Sequence, residues 1–119
     1  MKILIVEDEE VLVKVLQEKF EKENFIVKLV TDGELVFELV KSFKPDLILL
    51  DIMLPGGMNG FDVLEQLKSD EKFKSIPVFV VTNLDSEEKT ARTIGAADYI
   101  VKANTSIEVL VNKIKDYLS

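Results

Sequence analysis

The strongest constraint in this sequence is an alternation. Five short apolar runs, Ile3–Val6, Phe25–Val30, Leu47–Leu50, Val78–Val81 and Tyr99–Val101, are separated by stretches with helical periodicity. Runs this short, rich in Val, Ile, Leu or Phe and nearly unbroken, are the pattern of parallel strands buried on both faces. Lys28 interrupts the second run, which predicts an edge strand. Between the runs, Leu12, Val15, Leu16 and Phe20 share one helical face, as do Val36, Leu39, Val40 and Phe43. Val63, Leu64 and Leu67 repeat the spacing, and Ile107, Leu110, Val111, Ile114 and Leu118 give the clearest stripe. Thr31–Glu34 and Thr105–Glu108 have capping-box spacing, and Asp85 or Ser86 is placed to cap a helix near residue 87. Ser86–Ile94 offers only Ala91 and Ile94 as an apolar face and predicts a weakly docked helix.

A strand-helix unit repeated five times implies right-handed crossovers and a parallel sheet with helices on both faces. Five strands do not close a barrel of the eight-stranded type. The expected fold is therefore α/β, an open doubly wound five-stranded parallel sheet. The 119 residues make one domain, 1–119, with no linker and no repeat beyond the alternation. In such sheets the functional site lies at the carboxyl ends of the strands, near the point where strand order reverses.

Composition narrows the chemistry. The chain has no Cys and no His, which excludes disulfides, thiolate or imidazole metal sites, cysteine nucleophiles and Ser-His-Asp triads. A net charge of −7 argues against direct nucleic-acid binding through phosphate contacts. Met1–Val6 is too short for a signal segment and is followed at once by four acids, and no apolar run approaches the ~20 residues of a membrane span. The expectation is a cytoplasmic protein without membrane contact.

The strand-end rule then acts as a filter. Glu7-Asp8 follow the first run, Asp32-Gly33 the second, Asp51 the third and Thr82-Asn83 the fourth, while Lys102 ends the fifth. Three carboxylates in one crevice repel one another and require a compensating cation. Lys102 supplies one charge, and a hard divalent ion such as Mg2+, which takes carboxylate, water and phosphate oxygens, supplies the rest. Glu9 and Glu10 read as helix-start acids that favour the helix dipole. Asp51, directly after Leu47-Ile48-Leu49-Leu50, does not read as a surface acid.

Across Lys2 to Leu118 the chain resembles the receiver domain of two-component response regulators. The resemblance rests on Glu7-Asp8 in ILIVEDEE, Asp51 in PDLILLDIMLPG, Thr82 in VFVVTN and Lys102 in GAADYIVKA. It implies a flavodoxin-like (βα)5 fold with strand order 2-1-3-4-5. It also implies that Asp51 is the phosphoryl acceptor and that Mg2+ is held by Asp8, Asp51 and the Met53 backbone carbonyl, with Glu7 acting through a water. Thr82, the Asn83 backbone N–H and Lys102 would hold the phosphoryl group. Tyr99 matches the aromatic that reorients on activation, or is simply a half-buried strand tyrosine. Met53 and Leu84 would flank the water that hydrolyses the phosphoaspartate and set its lifetime.

The implied function is phosphorelay signalling by a stand-alone receiver, a monomer or weak dimer. It would accept a phosphoryl group from a histidine kinase or phosphotransfer protein and switch the binding of a downstream protein target. Such a domain is not an enzyme in the ordinary sense, though it assists its own phosphorylation and dephosphorylation. The alternatives are a receiver excised from a DNA-binding regulator, a flavodoxin-like electron carrier and a Mg2+-dependent phosphatase with an aspartyl nucleophile. The carrier would need a hydroxyl- and Gly-rich phosphate loop where Glu7–Glu10 stand, and the phosphatase a second acid where Met53 stands. Three departures from the family pattern bear on loop shape: Ala103 in place of Pro after Lys102, one extra residue in DIMLPGGMNGF, and Asn83 where a small residue is usual. A cis bond costs ~3–4 kcal/mol before a residue other than Pro, so Lys102–Ala103 is predicted to be trans with a shifted loop at Asn104-Thr105.

Overall fold

Leu47–Leu50 forms a four-residue strand in which every side chain is buried, and it is the centre on which the rest is wound. The computed structural model describes all residues, Met1–Ser119. In chain order the elements are β1 (Lys2–Val6), α1 (Glu10–Lys22), β2 (Ile26–Val30), α2 (Val36–Phe43), β3 (Leu47–Leu50), α3 (Gly60–Lys68), β4 (Val78–Thr82), α4 (Glu88–Ile94), β5 (Asp98–Val101) and α5 (Ile107–Leu118). Short 3-10 turns at Gly33–Leu35 and Lys102–Asn104 precede α2 and α5. All strand pairs are parallel, in the order 2-1-3-4-5. β2 lies at an edge, as the interruption at Lys28 predicts, and only Val30 of it is buried.

Strand side chains alternate between two apolar layers. Leu4, Val6, Ile48, Leu50, Val78 and Val80 meet Val36 and Val40 of α2, Val63, Leu64 and Leu67 of α3, and Ala91 of α4. Ile3, Ile5, Leu47, Leu49, Phe79 and Val81 meet Leu16 and Phe20 of α1 and Leu110, Val111 and Ile114 of α5. The central strands face apolar side chains on both sides, which is why their sequences lack the polar alternation of a half-exposed sheet. Ala91 is the one buried residue of α4, in keeping with its sparse apolar face. No helix is long and apolar enough to cross a membrane.

The helix starts differ from expectation by a residue or more. Ser106, not Thr105, caps α5, with its Oγ accepting from the Val109 N–H at 3.2 Å. Thr105 is unavailable because it closes the Lys102–Asn104 turn. Asp32, not Thr31, caps the turn before α2, its carboxylate accepting from the Glu34 N–H at 2.9 Å. Neither Asp85 nor Ser86 caps α4, whose N-cap is Glu87 without a side-chain bond. A capping box missed by spacing alone starts α3, where Asn59 accepts from the Asp62 N–H and Asp62 from the Asn59 N–H. All peptide bonds are trans, including Lys102–Ala103, and the chain leaves β5 through the 3-10 turn.

Candidate functional site

The order of strands reverses between β1 and β3, where Val6 pairs with Leu50 in register. The next residue of each strand is an acid, so pairing alone brings Glu7 and Asp51 side by side. Backbone bonds fix both, from the Glu7 N–H to the Val30 carbonyl at 3.1 Å and from the Asp51 N–H to the Val6 carbonyl at 3.0 Å. Both side chains are buried, whereas Asp8 is exposed at the rim. Carboxylate oxygens of Glu7, Asp8 and Asp51 lie within 4.8 Å of one another.

Lys102 at the end of β5 reaches into this cluster. Its Nζ stands 2.6 Å from Glu7 Oε1, 3.1 Å from Asp51 Oδ2 and 3.4 Å from Glu9 Oε2. Glu9, expected to be a solvated helix-start acid, therefore also faces the site lysine. Three carboxylates share one ammonium here and Asp8 stands beside them, so the excess is negative. Burial pushes the Glu7 carboxyl above its usual range, opposed by the Lys102 hydrogen bond and reinforced by the charge on Asp51. For Lys102 burial alone would lower the ammonium, but the Glu7 hydrogen bond and the Asp51 charge prevail and raise it. It is a fixed cation.

The carboxylates also organise backbone. Glu7 Oε2 accepts from the N–H groups of Asp8 and Glu9 at 3.0 and 3.1 Å, supporting the entry to α1. Asp51 Oδ1 accepts from the Met53 N–H at 2.9 Å, which pins the loop after β3 to the carboxylate. The Met53 side chain is more than half exposed. Gly60 closes the same loop, its N–H donating to the Ile52 carbonyl at 3.1 Å.

On the far side, Thr82 ends β4 fully buried, and its Oγ1 accepts from the Leu84 N–H at 3.4 Å. Asn83 is exposed beside it and Leu84 half-buried. Tyr99 is buried, and its hydroxyl donates to the Leu84 carbonyl. Burial and the nearby acids Glu87, Asp85 and Glu88 push this phenol above its usual range, so it remains a donor. The structure thus gathers Glu7, Asp8, Asp51 and Lys102 at one point, with Thr82, Leu84 and Tyr99 linked along the neighbouring strand ends.

Comparison with known proteins gives a consistent picture. Residues 3–115 match the family described as the response regulator receiver domain. The chain is 40% identical over 110 residues to the sensory transduction protein RegX3 of Mycobacterium tuberculosis, covering 91% of this chain and 47% of that one. It is 36% identical over 112 residues to the protein RcaC of Microchaete diplosiphon, covering 92% of this chain and 17% of that one. The chain therefore spans about half the length of the first relative and less than a fifth of the second. Among solved structures, the BeF3-activated N-terminal receiver domain of Klebsiella pneumoniae RstA superposes with a TM-score of 0.87 at 32% identity, over 97% of this chain and 96% of that one.

Proposed function

The chain belongs to the response regulator receiver domain family, and from that premise we propose that Asp51 accepts a phosphoryl group from a histidine kinase or phosphotransfer protein and that a downstream protein reads the result. The observation that carries this reading is the placement of Asp51. It is a buried carboxylate at the strand-order reversal, with Lys102 Nζ 3.1 Å from Oδ2 and two further acids within reach. In the transfer, an Asp51 oxygen attacks phosphorus as the P–N bond to the donor imidazole breaks, and its electron pair returns to nitrogen. Lys102 stabilises charge on the phosphoryl oxygens, so the protein contributes position and electrostatics rather than further covalent chemistry.

The donor set fits a hard divalent cation, because every available side-chain ligand is a carboxylate and the cluster carries excess negative charge. Asp8 and Asp51, with the Met53 carbonyl and with Glu7 through a water, would hold Mg2+, which would offset the repulsion met by an anionic donor. Once Asp51 is modified, Thr82 Oγ1 and the Asn83 N–H would bond the phosphoryl group. Loss of the Thr82–Leu84 contact would then reach Tyr99, whose hydroxyl is held by the Leu84 carbonyl. The target is a separate protein or a further domain of the same polypeptide, and the chemistry at Asp51 is common to both.

Intact-mass measurement after incubation with Mg2+ and acetyl phosphate tests this reading. One phosphoryl adduct is expected, and none in excess chelator. Absence of the adduct, or full labelling under chelation, refutes it.

Two further outcomes follow from the division of roles. Asp8→Ala is expected to weaken Mg2+ binding by at least about tenfold, since it removes a direct ligand at a cost above ~1.4 kcal/mol. Lys102→Ala removes an ammonium that competes for the same carboxylates, so Mg2+ affinity should be retained or increased while signalling falls. Metal titrations compare the two variants directly, and equal affinities contradict the assignment. The phosphorylated form is also expected to be long-lived, because neither Met53 nor Leu84 can orient an attacking water or accept its proton. Met53→Asn/Leu84→Glu should speed the loss of label after donor removal by about tenfold or more. Unchanged decay would show that access to phosphorus is controlled elsewhere.

A further inference from the structure

The acceptor lies at the carboxyl ends of the strands, and the amino ends carry a surface of the opposite sign. There the end of α2 and the loop joining α3 to β4 enclose an open groove of about 510 Å³. Half-buried Phe73 and Ile76 form its apolar floor over buried Val40 and Pro45, and Lys41, Lys44 and Lys72 stand around it. No carboxylate lines the groove, in a chain whose net charge is −7.

The three lysines are not spent on the fold. Lys44 and Lys72 have no carboxylate within 4.0 Å, and Lys41 meets the exposed Glu38 at 3.6 Å and lies over the Phe37 ring, 5.4 Å from its centre. The carboxyl end of α2 favours a nearby cation, but Lys2 already serves it, with Nζ donating to the Phe43 carbonyl at 3.1 Å. Lys72 belongs to a different segment and is brought across by the pairing of β3 with β4. Its backbone N–H is held by Asp70 at 2.8 Å, leaving the side chain at the exposed rim.

We propose that this groove docks a short acidic segment of a partner protein, anchored by one apolar side chain on the floor. Cations around an apolar floor match an apolar residue flanked by acids, and the negative charge elsewhere on the molecule repels such a segment from other faces. Small-molecule sites fix orientation with a few well-placed polar groups. The side-chain polar groups here are three flexible ammonium ions, which match a strand of spaced charges better than one rigid ligand. The four residues of β3 separate groove from acceptor by roughly 13 Å along the strand. A partner held here leaves the Asp51 face open to a phosphodonor, so docking and phosphorylation are compatible. The inference does not depend on phosphotransfer.

The test is an NMR titration of the full chain with the blocked peptide Asp-Glu-Phe-Glu-Asp. Shifts are expected at residues 40–45 and 72–76, fading as salt is raised. Lys41→Glu/Lys72→Glu changes only exposed side chains and should weaken binding at least about tenfold, while Asp51→Asn should bind as the parent does. A peptide with Ser in place of Phe should bind more weakly. Shifts centred on Lys14 and Lys19 or on Lys113 and Lys115, unchanged affinity on charge reversal, or equal binding of the Ser peptide would each overturn the proposal. Binding of phenylacetate as tight as the peptide would make this a small-molecule site instead and overturn it equally.

Discussion

Asp51→Asn is expected to acquire no phosphoryl group under conditions that label the parent fully, while remaining folded. The substitution keeps the shape of the side chain and its ability to accept from the Met53 N–H, and removes the oxygen proposed as nucleophile and one negative charge. Lys102 retains Glu7 at 2.6 Å, so no ammonium is left buried without a partner. Part of what raises the Glu7 carboxyl is the charge on Asp51, and relieving it leaves stability unchanged or improved. A missing carboxylate ligand should also weaken Mg2+ binding by at least about tenfold, or ~1.4 kcal/mol. Intact mass and a urea unfolding curve decide both halves. An adduct of unchanged yield in the variant would move the acceptor to another acid, and a collapse in stability would show that Asp51 serves the fold first.

The second large effect is structural. Gly60→Ala should lower stability by about 3 kcal/mol or more, because the new methyl has nowhere to go. A Cβ at this position would stand 2.3 Å from the Ile52 Cα and 2.4 Å from the Asp51 carbonyl oxygen, both backbone atoms. Relief requires α3 to withdraw from the loop after β3, which also breaks the bond from the Gly60 N–H to the Ile52 carbonyl. Phosphorylation should fall with stability, since one of the crowded atoms is the carbonyl oxygen of Asp51, the proposed acceptor. Gly57→Ala is the control, where the added carbon meets only the end of the Glu34 side chain at 3.2 Å. The urea midpoint of each variant, at unchanged slope, gives the comparison. A Gly60→Ala shift as small as that of Gly57→Ala would mean the close approach is easily relaxed.

The sheet was legible because its central strands are buried on both faces. Ile3–Val6, Leu47–Leu50 and Val78–Val81 had to be apolar at every position, and nothing else in the chain has that pattern. The acidic cluster was legible for a related reason, since the first polar residue after such a strand stands at the rim where strands end. Cap positions were less so. Thr105 and Ser106 are adjacent hydroxyl residues, both with extended backbone, and only the start of helical geometry at Ile107 decides that Ser106 caps α5. The support that Glu7 gives the Asp8 and Glu9 amides requires a bend in the chain that spacing does not encode. The basic groove was invisible for a third reason. Lys41 and Lys72 are far apart in sequence and meet only through the β3–β4 pairing.

The light attachment of α4 has a consequence for the time the molecule spends away from its average form. A seven-residue helix with Ala91 as its one buried side chain has little to lose by opening. Its local unfolding free energy should sit near the bottom of the molecule's range, far below that of β3 and β4. The helix begins four residues after Leu84, whose carbonyl holds Tyr99. A perturbation too weak to repack either apolar layer is therefore expected to act first on α4, shifting it between docked and released populations. Such a response is graded in occupancy rather than in displacement, and its sensitivity is set by how little holds the helix down.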